Sequence, residues 1–139
     1  MIIKTAPDKH KASSLFQTAK ISFERLKETD MKKYPSNTLK DYYDIIHSLL
    51  ESLASLEGVK TKQEGAHKEL IDYVCQQHKL EESTRIFLQQ LREYRNRIFY
   101  EGFNVNPNYI SLNSVQLQKI VNYLFKLYQD ELNKMEKTR

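Results

Sequence analysis

Four of the chain's six arginines, Arg85, Arg92, Arg95 and Arg97, fall within one short stretch, while the lysines are spread elsewhere. Arginine offers a planar fork of donors that grips phosphate through paired hydrogen bonds, so this clustering points to anion recognition. The stretch also has a helical apolar pattern. At about 100° per residue, Leu80, Phe87, Leu91, Tyr94 and Ile98 share one arc, the side for a core. Leu88, Arg92, Arg95 and Phe99 form a second stripe beside it, bordered by Arg85 and Asn96. Two readings fit this mixed stripe. Arginine stems can lie over apolar neighbours with their heads paired to nearby glutamates. Alternatively, the helix meets a second subunit through Leu88, Arg92, Arg95 and Phe99 and presents arginine at a shared groove, since arginine mixed with apolar side chains is interface composition.

Other reactive side chains are read as structural. His10, His47, His67 and His78 are scattered, with no pair four apart and no HExxH pattern, so no metal site is expected. His67, near a helix start, reads as solvent-exposed, and His47, at the edge of an apolar arc, reads as packing. Cys75 falls on the apolar side of a short helix and reads as inert core. The absence of a glycine-rich phosphate loop excludes nucleotide hydrolysis of the P-loop kind, and no cofactor is called for. Most of the nine tyrosines lie at core spacing. Tyr100 and Tyr109 are the two placed to stack on a base.

The elements that position these groups are helices. The chain has 139 residues, 40% hydrophobic and 29% charged, with only three Gly and three Pro. That poverty of turn residues disfavours an all-β fold. Apolar stripes predict helices over residues 8–28, 37–57, 66–77, 81–101 and from Asn113 or Ser114 to near the C-terminus. Gly58 and Gly102 end the second and fourth helices. The segments 59–65 and 104–113 are expected as loops, the latter with Pro107 and four Asn. The expectation is one all-α domain over 1–139, an antiparallel bundle of about five helices. A lone Cys excludes an intrachain disulfide and a multi-cysteine zinc site. With no apolar leader and no run of about 18 apolar residues, a reduced, cytoplasmic, soluble protein with no membrane partner is expected. The net charge of +4 is a mild pointer to nucleic acid.

The fourth helix reads LREYRNRIFYEGF. This resembles the signature of the HEPN domain (higher eukaryotes and prokaryotes nucleotide-binding): an Arg, usually followed by a polar residue such as Asn, with a His four to six residues on. Arg95 and Asn96 match, and Tyr100 fills the His position. The second helix and the turn after it, TLKDYYDIIHSLLESLASLEGVKTKQEGAHKELIDYV, also resemble the family. The resemblance implies an HEPN-like helical bundle, paired as a homodimer with the arginine helices at the cleft. It further implies binding of RNA or nucleotide, metal-independent ribonuclease activity of the toxin–antitoxin type, or partnership with a small nucleotidyltransferase.

Metal-free RNA cleavage needs a base for the 2′-hydroxyl and a cation for the charge that builds on phosphorus. Arg95 supplies the cation, and Asn96 can orient a phosphate. Arg85, Arg92 and Arg97 extend the phosphate-binding set. Tyr100 stands in the proton-transfer role, yet an unperturbed phenol titrates near about 10. Arg95 and Tyr100 also lie about 140° apart on a regular helix, so they converge only if the helix loosens near Gly102 or two subunits contribute. The expected function is therefore an RNA- or nucleotide-binding protein, as a toxin-type or degenerate metal-independent endoribonuclease. The alternative is a non-catalytic helical interaction subunit.

Overall fold

The computed structural model describes residues 2–62 and 65–137. It is an all-α bundle of five helices with a very small sheet. The helices are α1 (Lys9–Lys27), α2 (Pro35–Glu57), α3 (Ala66–Gln77), α4 (Glu82–Glu101) and α5 (Pro107–Lys137). Two three-residue strands, β1 (Ile2–Lys4) and β2 (Val59–Thr61), pair antiparallel with Ile3 opposite Lys60. The reading of 59–65 as a plain loop is thus corrected for 59–61, and its residues 63 and 64 lie outside the described ones.

α2 organises the bundle. Leu39, Tyr42, Ile46, Leu49, Leu50 and Leu53 are at most 1% exposed, and Ile45 and Leu56 are buried beside them. Apolar side chains on nearly every side mark a helix that must be covered all round. α1, α3, α4 and α5 all pack on it. Across the α1–α5 side, Phe16 stacks on Tyr128 at 4.4 Å between ring centroids and meets Phe125 edge-on at 5.3 Å.

The start of α5 differs from expectation. The helix begins at Pro107, six residues before Asn113. Proline at a first helical position needs no backbone donor and is already at helical φ. Asn106 caps it by accepting from the Asn108 amide at 2.9 Å. Asn113 is no cap: its side chain donates to the Tyr109 carbonyl at 2.8 Å, within the helix.

α3 is clamped at two places, and this sets the site. At its C-terminal end, Glu57 of α2 accepts from the Tyr73 hydroxyl at 2.6 Å and meets His78 Nε2 at 2.5 Å. On its other side, Asp72 takes hydrogen bonds from Arg85 at 3.0 Å and Gln89 at 2.9 Å, which tie α4 to α3. The turn between them is tight, with Lys79 at φ 56° and the Leu80 amide donating to the Cys75 carbonyl at 2.9 Å.

Gly58 joins the end of α2 to the small sheet. It has φ 72°, and its carbonyl accepts from the Thr5 amide at 2.6 Å. A Cβ here would run into the Thr5 carbonyl oxygen. Gly58→Ala is therefore expected to destabilise the fold by about 2–4 kcal/mol, from the left-handed backbone and the clash together. Urea denaturation should read this loss; an unchanged midpoint would show that the β1–α2 junction is not under this constraint.

Candidate functional site

Tyr43, His47 and Glu51 follow one another at four-residue spacing on α2, so they share one face. The Tyr43 ring is buried. His47 Nε2 meets Glu51 Oε1 at 2.8 Å, and this hydrogen bond is the main cause that lowers the Glu51 carboxyl. His67, in the first turn of α3, swings over this ladder. Its ring stacks on His47 with centroids 3.9 Å apart and planes 18° from parallel. Its Nδ1 lies 2.8 Å from the Tyr43 hydroxyl.

α4 completes the cluster. The Arg95 guanidinium sits 5.8 Å from the centroid of Tyr43 and 5.3 Å from that of Phe99, between the two rings. Its side chain is only 23% exposed, and its Nε is buried without a hydrogen-bond partner. The nearest carboxylate contact is Asp44 at 3.9 Å, and Nη1 reaches Asn96 Oδ1 at a long 3.5 Å. Arg92, 18% exposed, donates to Gln89 at 2.9 Å and has Glu93 at 3.8 Å. Neither guanidinium is neutralised by a close bidentate carboxylate, so both retain capacity for an anion.

The electrostatics of the cluster favour uncharged rings. Burial pushes the Tyr43 phenol up to about 12, against the opposing pull of Arg92 and Arg95, so it remains protonated at neutral pH. His67 is held down to about 4, chiefly by desolvation of the ring, then by His47 and Arg95, with Glu51 acting the other way. Its outer part still reaches solvent.

The predicted residues are therefore partly brought together and partly separated. Arg92, Arg95, Asn96 and Phe99 lie at the cluster. Arg85 does not: it is bound to Asp72 and Glu82. Arg97 lies over the Phe103 ring at 4.1 Å, beside Glu101. Tyr100 is 76% exposed and meets Phe99 edge-on at 5.1 Å, so its contact with Arg95 runs through that ring. Leu88 is 1% exposed and belongs to the core of its own chain, which removes it from any subunit face. The boundary between the two stripes of α4 was misread because a helix wedged between α2 and α3 buries a wider arc than a surface helix.

Two other readings resolve as structure. Cys75 is buried, and desolvation pushes its thiol up to about 11. Tyr109 stands edge-on to Tyr94 at 5.2 Å with its hydroxyl buried, so it offers no free ring for a base. Among the described residues, no group of three or more His, Cys, Asp and Glu is placed to hold a metal ion. A hollow of about 420 Å³ between the α3–α4 turn and α5, lined by Leu80, Ile120 and Tyr123 among others, shares no residue with the cluster.

The histidines were the residues that sequence reasoning missed. His67 is exposed as expected, but it is not unpartnered, and His47 is a stacking partner and not merely packing. The available signal was the Tyr43–His47–Glu51 ladder. No family model, curated protein or solved structure matches the chain.

The charge arrangement has a measurable consequence. His67 has a folded-state value depressed from 6.5 to about 4, so the unfolded chain binds the extra proton between these limits. Its contribution to stability is present above pH 6.5 and is lost as pH falls towards 4. In an NMR titration its ring should titrate near 4, and Arg95→Ala should move that value upwards. A titration at the ordinary histidine value would mean that the ring is not held in the cluster.

Proposed function

We propose that the chain is an HEPN-like protein that binds RNA through the phosphate backbone, with Arg92 and Arg95 as the anion-gripping pair, and that it belongs to the metal-independent endoribonuclease type. The observation that carries this reading is the Arg95 guanidinium, recessed between two aromatic rings, with a buried Nε that no hydrogen bond satisfies. A cation held this way is oriented in advance and lacks a firm counter-ion, which suits capture of a phosphate. The helix order and the Arg95–Asn96 pair on α4 support the HEPN-like assignment. Arg85 and Arg97 are left out of the binding set because neither lies at the cluster: Arg85 is tied to Asp72 and Glu82, and Arg97 lies over the Phe103 ring.

Arg95→Ala is expected to weaken binding of a single-stranded RNA oligonucleotide about tenfold or more, the loss of one charge-assisted contact. It should also reduce the slope of log K against log salt by about 0.7. Arg97→Ala, matched in charge, should change affinity much less. Equal effects of the two substitutions on fluorescence-anisotropy binding curves would reduce the interaction to non-specific charge and defeat the proposal.

A second feature of α4 favours a protein contact beside the RNA site. Phe99 and Tyr100 are 62% and 76% exposed, adjacent to Arg95. Such a pair of large rings is typical of an interface core, and we assign it to a second copy of the chain. A nucleotidyltransferase partner would be the alternative occupant of the same rings, and then the chain would serve as a non-catalytic subunit. In sedimentation at micromolar concentration the protein should be a dimer and Phe99→Glu a monomer, because the substitution places a charge against apolar surface. A monomeric unmutated protein excludes the homodimer.

A further inference from the structure

We propose that His67 is the catalytic base of this site: its Nε2 takes the proton of an RNA 2′-hydroxyl while Arg95 and Arg92 hold the adjoining phosphate. The inference rests on the RNA-binding reading above and moves the proton-transfer role from Tyr100 of α4 to a histidine of α3. Three observations carry it. His67 is the imidazole of the cluster that keeps an outward, exposed part, whereas His47 has Nε2 bonded to Glu51 and Nδ1 buried. The ring is fixed on two sides, by the His47 stack at 3.9 Å and by Tyr43 at 2.8 Å from Nδ1. The same Tyr43 ring lies against Arg95, so one side chain sets the base and the cation in register.

In the tautomer that donates Nδ1–H to the Tyr43 oxygen, the neutral ring carries its lone pair on Nε2. The proton passes from O2′ to Nε2 as O2′ attacks the adjacent phosphorus and the P–O5′ bond breaks. A solvent water protonates the departing O5′, and the His67 imidazolium later returns its proton to solvent. The products are a 2′,3′-cyclic phosphate and a 5′-hydroxyl, and no electron changes hands. Arg95 and Arg92 face the phosphate, where negative charge grows in the transition state.

Among the described residues, the titratable and charged groups that face His67 are Tyr43, His47 and Glu51 of α2 and Arg92 and Arg95 of α4. Behind them, Asp44 faces Tyr43 and Arg95, and Lys11 of α1 faces Glu51. Desolvation of the ring, then the charges of His47 and the arginines, keep the imidazole unprotonated before a substrate enters. A phosphate bound at the arginines offsets their charge and makes Nε2 a stronger base once the substrate is in place. His47 and Tyr43 are positioning residues, because they act through His67.

The test uses the full chain, EDTA and a fluorescent single-stranded RNA, with a DNA of the same sequence beside it. The unmutated protein should cut the RNA to cyclic-phosphate ends, read by mass spectrometry, and leave the DNA intact. His67→Ala should lower the rate about 100-fold or more while RNA affinity stays within about twofold. His10→Ala, on the exposed part of α1, should leave the rate unchanged. His47→Ala should move the acid limb of the pH–rate profile upwards, since His47 is one of the groups that hold His67 down; a purely structural role would lower the amplitude and leave the limb in place. Cleavage that survives His67→Ala, or that is lost with Tyr100→Phe instead, overturns the inference. Arg95-dependent binding without any cleavage also overturns it, and leaves the RNA-binding reading standing. Loss of Arg95 dependence in binding removes that reading itself.

Discussion

The fold depends on covering α2. A helix with leucine, isoleucine and tyrosine on nearly every side cannot be left half in water, and burying each such side chain is worth about 1.5–3 kcal/mol. The other four helices are distributed round it for that reason, with α1 and α5 sealing one side through Phe16, Phe23, Phe125 and Tyr128. The face towards α3 and α4 is different. There α2 carries Tyr43, His47 and Glu51, which are half-apolar groups with polar tips. Covering such residues favours partners for their polar tips: the Tyr43 hydroxyl meets His67, and His47 Nε2 and Glu51 meet each other. The candidate site is therefore located where the central helix changes from an apolar to an amphipathic surface.

Holding that site requires α3 to be short and fixed. A twelve-residue helix has little stability of its own. It is held instead by Glu57 at one end and by Asp72 against α4. Glu57 accepts from both a phenol and an imidazole, and Asp72 from both a guanidinium and an amide, so each carboxylate uses both of its oxygens or shares one between two donors. These contacts lie well away from His67 along the helix. In the first turn itself, Gln89 of α4 donates to the Lys68 carbonyl at 3.0 Å.

Much of the architecture was legible because helix periodicity and glycine stops are local signals. α3 was read over 66–77 as found, and α1 and α4 to within a residue at either end. The start of α5 is ambiguous in the sequence because Pro107 suits a loop and the first turn of a helix equally. The strand pairing was missed because β1 and β2 are three residues each, too short to show alternation. At the site, the arginine cluster was visible as composition, but composition could not sort its members. Arg85 and Arg97 were separated from Arg92 and Arg95 only by Asp72, Glu82 and Phe103, none of which stands in a recognisable spacing to them all. His47 and His67 are twenty residues apart, and their stack is a tertiary fact.

The stacked imidazoles and the recessed guanidinium impose one condition on each other. Arg95 lacks a firm counter-ion, so its field falls on whatever is near, and His67 is near. If His67 were protonated, it would face Arg95, Arg92 and His47 with only Glu51 to offset them. Desolvation of the ring and, after it, this repulsion keep it neutral, and a neutral ring can stack closely on its neighbour without repulsion. Neutrality also preserves Tyr43 as a hydrogen-bonding partner and leaves the arginines as the dominant local charge. A phosphate entering this field meets cations that are already oriented and an imidazole that does not compete for it as a cation. The same anion would then relieve the pressure that kept the imidazole unprotonated. On the proposed reading, binding of the anion would favour proton uptake by the imidazole through the local field.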